Sequence, residues 1–259
     1  MRALTSLFPF IIPSAYDKKH GEYDWFLNAF EGAETVQMQI TSNVWQVGGP
    51  ELTADEDAAI YLVRFDDAAA LIDAGCGDAA AALIANVGRV LAPEVPVTHL
   101  LLTHCHFDHT GGAEALRGHF GCEVLAHAED AVFLEAGDSD VTAASWYGRR
   151  MEPLRIDRTI QGKTETIRVG TGAVIAYHCP GHSPGSLVYL VEIDGRKILF
   201  GQDIHGPLHP GLKSDPTDYM RSLEFMLSLD ADILCEGHFG VFRGREEVRR
   251  FIRRYLTAG

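Results

Sequence analysis

Positive charge is scarce in this sequence: 22 Lys and Arg stand against 36 Asp and Glu, a formal net charge of −14 over 259 residues. Such an excess repels phosphate backbones, which excludes nucleic acid as a partner unless the arginines gather on one face. They do gather between Arg243 and Arg254, where the spacing reads as the solvated face of a terminal helix. Long apolar runs are missing too. None approaches the ~20 residues of a membrane-spanning helix, so a membrane partner is excluded. Cysteine is sparse and unpaired in spacing, at positions 76, 105, 122, 179 and 235. An odd, scattered set excludes a disulfide framework and fits a reducing, cytoplasmic compartment. Low-complexity segments and short-period repeats are absent. The opening MRALTSLFPFIIPSA has the look of a secretory leader, but its apolar stretch is short and broken by Pro9 and Pro13. No clean small-residue cleavage site follows, so it is expected to belong to the folded protein.

The remainder is the composition of an ordinary globular chain, 46% hydrophobic and 22% charged, and long enough to bury a core without staples. Residues 1–34 are irregular and aromatic-rich and are expected to form an arm or cap, which leaves a homodimer open. A single domain is expected over 35–259. Strand-like runs follow in the order VQMQI, NVWQVG, IYLVRF and AALIDAG, and then DAAAALIANVGRVLA has helical spacing. VTHLLLT and CEVLAH read as strands, GAEALRGHF and AEDAVFLEAG as helices, and 138–163 as a looser stretch. The second half repeats the order: ETIRV, AVIAYHC, SLVYLVEI and KILFG as strands, TDYMRSLEFMLSL as a helix, DILCEG as a short strand and REEVRRFIRRYL as the closing helix. Strands then helices, twice over, predict an α/β protein of the α+β type with two sheets packed together and helices outside.

The chemistry concentrates where VTHLLLT ends. His104, His106, Asp108 and His109 fall within six residues, followed by Gly111 and Gly112, which are expected to let the backbone turn sharply. Imidazole and carboxylate together suit zinc, iron or manganese. Four such groups are costly to desolvate unless a cation binds them. Three later strand ends offer more ligands: His182 in CPGHSPGS, Asp203 in FGQDIHG and His238 in CEGHFG. Cys105, Cys179 and Cys235 lie close to them but are expected to pack as small apolar groups. His99, His119, His127 and His178 are expected to be structural. His205 and His209, in the Gly/Pro-rich loop after Asp203, are candidates for substrate contact.

THCHFDHTGG, CPGHSPGS, GQD, CEGHFG and the Asp73 of LIDAG together resemble the five-motif pattern of the metallo-β-lactamase-fold superfamily, over roughly residues 40–245. The resemblance implies a four-layer αββα sandwich with two divalent cations at one edge, zinc first and iron or manganese as substitutes. It implies that His104, His106 and His182 hold one ion, that Asp108, His109 and His238 hold the other, and that Asp203 bridges them. Asp73 would orient these ligands without being one. The implied activity is hydrolysis, in which a metal-bridging hydroxide oriented by Asp108 attacks the carbonyl of a small thioester, ester or lactone.

Departures from better-known members narrow the substrate. Asp203 stands where two β-lactamase subgroups have cysteine and a third has no carboxylate, which weighs against a β-lactamase. Glyoxalase II is similar in its CPGHSPGS turn and its ligands, but it carries a glutathione-binding region for which the 21 residues after His238 are too few. Acyl homoserine lactonases resemble HFDHTGG and GHSPGS, yet their tyrosine beyond the bridging aspartate has no counterpart in DIHGPLHPG. Two other classes remain open: a non-haem iron oxidoreductase of the persulfide dioxygenase type, and a ligand-binding regulatory protein with residual hydrolysis.

Overall fold

The computed structural model describes residues 38–256. The expected arm over 1–34, and the first residues of the VQMQI strand, lie outside them.

Two sheets account for the strands. The first runs in spatial order β1 (Met38–Thr41), β2 (Val44–Gly48), β3 (Ile60–Arg64), β4 (Ala69–Ile72), β5 (Val97–Leu101), β6 (Glu123–His127) and β7 (Arg158–Ile160). Its first four strands are antiparallel, and β4 to β7 are parallel. Parallel pairing needs crossovers, and the helices α1 (Ala80–Val90), α2 (Phe107–Thr110), α3 (Ala113–Phe120) and α4 (Ala128–Ala136) lie within them. The second sheet runs β13 (Val241–Arg243), β12 (Ile233–Cys235), β11 (Arg196–Phe200), β10 (Leu187–Ile193), β9 (Gly172–His178) and β8 (Thr164–Val169). Helix α5 (Pro216–Ser228) forms the crossover between the parallel strands β11 and β12, and α6 (Arg245–Leu256) follows β13.

Alternation along the strands explains the layering. On β3, Ile60 and Leu62 join the core beneath α1, α3 and α4, while Tyr61 and Val63 join the core between the sheets. On β10, Leu187, Tyr189 and Val191 face that same central core, and Val188 and Leu190 face α5 and α6. A period of two therefore serves three cores and gives the αββα order expected. Each fully buried Leu, Ile or Phe side chain contributes about 1.5–3 kcal/mol. Helix α6 buries Val248, Phe251 and Ile252, an i, i+3, i+4 stripe. Its arginines lie along acidic side chains, Arg249 against Asp230 and Glu246, and Arg250 against Glu247.

Two tyrosines lock the sheets together at one edge. The Tyr189 hydroxyl donates to the Leu102 carbonyl at 2.7 Å, and the Tyr61 hydroxyl donates to the Glu236 carbonyl at 2.7 Å. Leu187 N–H donates to Thr103 O at 2.7 Å, and Ala59 N–H to Gly237 O at 2.8 Å. The loops after β4, β5, β9, β11 and β12 meet along this edge. The 138–163 stretch holds a 3-10 turn over Ala144–Tyr147 as well as β7. The residues 241–243 strand was not expected from the sequence; three residues are too few for periodicity to show. No helix among the described residues is long and apolar enough to cross a membrane.

Candidate metal centre

Loop geometry separates the first four ligand-type residues into two pairs. His106 is extended (φ −68°, ψ 148°) and opens α2, a single helical turn held by a bond from the Thr110 hydroxyl to the His106 carbonyl at 2.9 Å. His104 and His106 precede the turn, whereas Asp108 and His109 lie within it. Ligand atoms of His104, His106, His182 and Asp203 lie within 4.8 Å of one another, as do those of Asp108, His109 and His238. The structure thus brings together all seven side chains singled out in the sequence.

In the first group the imidazole nitrogens converge. His104 Nε2 and His182 Nε2 each lie 3.0 Å from His106 Nδ1. Their tautomers follow from their other partners. His182 Nδ1 donates to the Pro207 carbonyl at 3.0 Å. The Thr103 hydroxyl donates to Asp73 Oδ2 at 2.8 Å, so its oxygen accepts from His104 Nδ1 at 3.0 Å. Both Nε2 atoms therefore present lone pairs toward one point. Burial holds these rings neutral: His104 well below its ordinary pKa, His106 at about 4 and His182 at about 3. A neutral His106 can satisfy from Nδ1 only one of these two Nε2 atoms at a time, so a buried lone pair stays unmatched unless a cation sits among the three rings.

The second group is charged. His238 Nε2 lies 3.2 Å from Asp108 Oδ2 and 3.4 Å from Asp203 Oδ2, and His109 Nε2 lies 3.2 Å from Asp203 Oδ1. Asp203 Oδ2 also lies 3.5 Å from His182 Nε2, so this carboxylate stands between the groups. Burial opposes charge on His109 and His238, yet the facing carboxylates of Asp203 and Asp108, joined at His109 by that of Asp73, outweigh it. His109 is held well above the ordinary range and His238 at about 10. Burial likewise opposes ionisation of Asp108, but His109 and His238 outweigh it and hold the carboxyl at about 2. His109 Nε2 and Asp203 Oδ1 are buried without a well-aligned hydrogen bond. Imidazole and carboxylate donors of this kind fit zinc, iron or manganese.

A pH dependence follows. Metal-free, the second group carries protons on His109 and His238 through the neutral range, and a cation must displace them. Zinc uptake there is expected to release about two protons, and its affinity to rise about tenfold per pH unit for each one, up to the His238 value of about 10. Calorimetric titrations in buffers of different ionisation enthalpy, repeated at several pH values, check both.

Two buried carboxylates hold the ligands in place. Asp73 Oδ2 accepts from His109 Nδ1 at 2.7 Å, and Asp73 Oδ1 from the Thr103 N–H at 2.8 Å. Asp73→Asn is expected to weaken metal binding at the second group about 10–100-fold in a chelator competition, because an amide would turn its donors toward His109. The Asp73 backbone is left-handed (φ 64°), a region asparagine tolerates, so the fold is expected to survive. Asp130 accepts from Cys105 N–H at 2.8 Å, Ser183 Oγ at 2.6 Å and Gly185 N–H at 2.6 Å, and so ties the His104–His106 loop to the His182 loop.

The glycines act differently from the expectation. Gly111 and Gly112 have φ of −58° and −84°, values open to any residue. They are needed for close approach, since a Cβ would lie 2.4 Å from Cys76 O at Gly111 and 2.2 Å from Ala74 O at Gly112. At Gly237 a Cβ would lie 2.2 Å from Asp203 Oδ1, so that glycine makes room for the carboxylate.

Of the two substrate-contact candidates, His205 joins the site: one of its ring nitrogens lies within 4.8 Å of ligand atoms of Asp203 and His238. His209 belongs to none of these ligand groups; its ring is edge-on to Trp146 at 5.3 Å and its Nδ1 accepts from Gly211 N–H at 3.0 Å. Cys105, Cys179 and Cys235 are buried, as expected. His127 and His178 stack at 3.7 Å and 15° beside Glu129, so their in-plane lone pairs run parallel and do not converge on an ion. Besides Asp130, sequence reasoning missed the aromatic residues Trp146, Tyr147 and Phe239. Tyr147 reaches Asp108 from the loose stretch with its ring edge exposed, and the partial desolvation of its hydroxyl together with the Asp108 charge keeps the phenol protonated. Trp146 and Phe239 are exposed beside it and beside His205. The only sequence signal was an aromatic pair in a polar loop. A cleft of about 430 Å³ is lined by Phe107, Arg149, Arg150 and Met151 among others, and by none of the seven ligand-type residues.

Residues 55–238 match the Metallo-beta-lactamase superfamily. The chain is 31% identical over 227 residues to the acyl-coenzyme A thioesterase MBLAC2 of Gallus gallus, covering 77% of this chain and 78% of that protein. It is 35% identical over 143 residues to a hydroxyacylglutathione hydrolase of Anaeromyxobacter dehalogenans (strain 2CP-C), covering 55% of this chain and 45% of that one. A metallo-beta-lactamase structure from Cronobacter sakazakii superposes with a TM-score of 0.73 over 87% of this chain and 93% of its own, at 21% identity, a likeness of fold alone.

Proposed function

Because the chain belongs to the metallo-beta-lactamase superfamily, a family of metallo-hydrolases, we propose that it is a dinuclear metal-dependent hydrolase of thioesters, with zinc as its metal. The observation that carries this reading is the pair of ligand groups sharing Asp203. His104, His106 and His182 would hold one cation and Asp108, His109 and His238 the other, with Asp203 between them. When bound there, two dications would lower the pKa of a water between them and would polarise the acyl carbonyl.

The chain's own residues orient and shield. Asp108, ionised and facing His238 at 3.2 Å, would orient the attacking water through its carboxylate and relay that water's proton to the departing thiolate, so that carboxylic acid and free thiol leave. Tyr147, protonated beside it, would steady the Asp108 carboxylate with its O–H. Trp146, Tyr147 and Phe239 offer an apolar rim to an acyl chain, and Trp146 with His209 forms its outer side. A small acyl thioester is favoured over a lactone because the relative named for acyl-coenzyme A matches this chain over most of both lengths. Five cysteines without a disulfide fit work in the reducing cytoplasm.

The test is release of free thiol from short- and medium-chain acyl-coenzyme A by the zinc-loaded protein, beside a lactone and a β-lactam. Thioester kcat/KM is expected to exceed that of the β-lactam by about 10³-fold or more. Zinc-loaded protein that releases no thiol, or iron-loaded protein that consumes oxygen with a persulfide, contradicts the proposal.

A further inference from the structure

Glu236 is fully buried, and none of the seven motif residues accounts for it. A buried carboxylate is costly unless its lone pairs are filled. Here Oε2 accepts the backbone N–H groups of His238 and Phe239, each at 2.8 Å, and Oε1 lies 2.8 Å from His205 Nδ1. One carboxylate therefore shapes the turn that carries His238 and orients the His205 ring. The ring is held from its other sides as well. It meets His238 edge-on at 5.2 Å and Phe239 at 4.8 Å.

With Nδ1–H donated to Glu236, Nε2 of a neutral His205 is an acceptor only. A thioester carbonyl and a departing thiolate carry lone pairs, not donors, so neither is a complement to that nitrogen. A cation is. A ring nitrogen of His205 lies within 4.8 Å of ligand atoms of both Asp203 and His238. A carboxylate behind the ring, fixing its tautomer and orientation, is the arrangement found behind metal-bound histidines.

We propose that His205, oriented by Glu236, is a further metal ligand, completing the coordination of the cation held by Asp203 and His238. The site it forms takes a divalent cation of the zinc class. The inference rests on the dinuclear reading above, and extends the ligand set from seven residues to eight.

The experiment uses Zn²⁺ alone, titrated into metal-free native, His205→Ala and Glu236→Gln chains against a chelating dye, and Co²⁺ as a spectroscopic substitute. The thermal midpoint of each metal-free chain controls for folding. Both variants are expected to bind the first zinc ion as the native chain does and the second about 10-fold or more weakly. The visible Co²⁺ absorption of the second equivalent is expected to strengthen in His205→Ala, as loss of a ligand lowers the coordination number. Native affinity for both ions with an unchanged Co²⁺ spectrum in His205→Ala overturns the inference while leaving the dinuclear reading in place. A native chain that takes up one zinc ion or none overturns both. Should Glu236→Gln prove unfolded, His205→Ala decides alone.

Discussion

The Asp203→Asn protein is expected to hydrolyse a thioester with a kcat/KM about 10³-fold or more below the native value, and to retain one tightly held zinc ion in place of two. The reason lies in the position of this carboxylate. Its Oδ2 is 3.5 Å from His182 Nε2, 4.0 Å from His104 Nε2 and 3.4 Å from His238 Nε2, and its Oδ1 is 3.2 Å from His109 Nε2. Among the described residues no other carboxylate lies within 4.0 Å of histidines of both groups. Asparagine keeps the shape and removes the charge, and its amide hydrogens would point at a cation. A 10³-fold loss corresponds to about 4 kcal/mol of transition-state stabilisation. Metal content by plasma mass spectrometry, measured beside the kinetics, separates loss of an ion from loss of fold.

Stripping the metal with a chelator is expected to abolish hydrolysis and to lower the thermal midpoint by about 10 °C, both restored by zinc. The stability effect comes from metal binding to the folded chain. Metal-free, the nitrogens of His104, His106 and His182 face one another at 3.0 Å inside the molecule. A ligand present at ~1,000 times its dissociation constant stabilises by about 4 kcal/mol, and each kcal/mol is about 2–4 °C in a chain of this size. Scanning calorimetry with and without zinc measures it. An unchanged midpoint would mean that no cation is held where these nitrogens meet.

The site was more legible than the fold around it, for a physical reason. Metal ligands must be His, Asp or a similar type, so His104, His106, Asp108 and His109 stand out in any context, and glycines beside His182, Asp203 and His238 mark tight approach. The layering was legible because both faces of β3, β4 and β10 are buried, which produces dense apolar runs. Residues that act through contact alone left little trace. Asp130 sits in an unremarkable helical run, AEDAVFLEAG, and gains its role only when the loops around Cys105 and Ser183 fold onto it. Glu236 reads as one more acidic residue until the turn places two N–H groups and the His205 ring against it. Tyr147 reaches Asp108 from 39 positions downstream, through a stretch without periodicity. The misreading of Gly111 and Gly112 has the same origin, because sequence shows that a side chain is missing and not which neighbour needs the space.

The most direct measurement is a stepwise addition of zinc to metal-free protein while thioester hydrolysis is followed. Rate is expected to climb with added zinc and to level off at two equivalents per chain. A plateau at one equivalent, or turnover that persists without any divalent ion, would contradict the account.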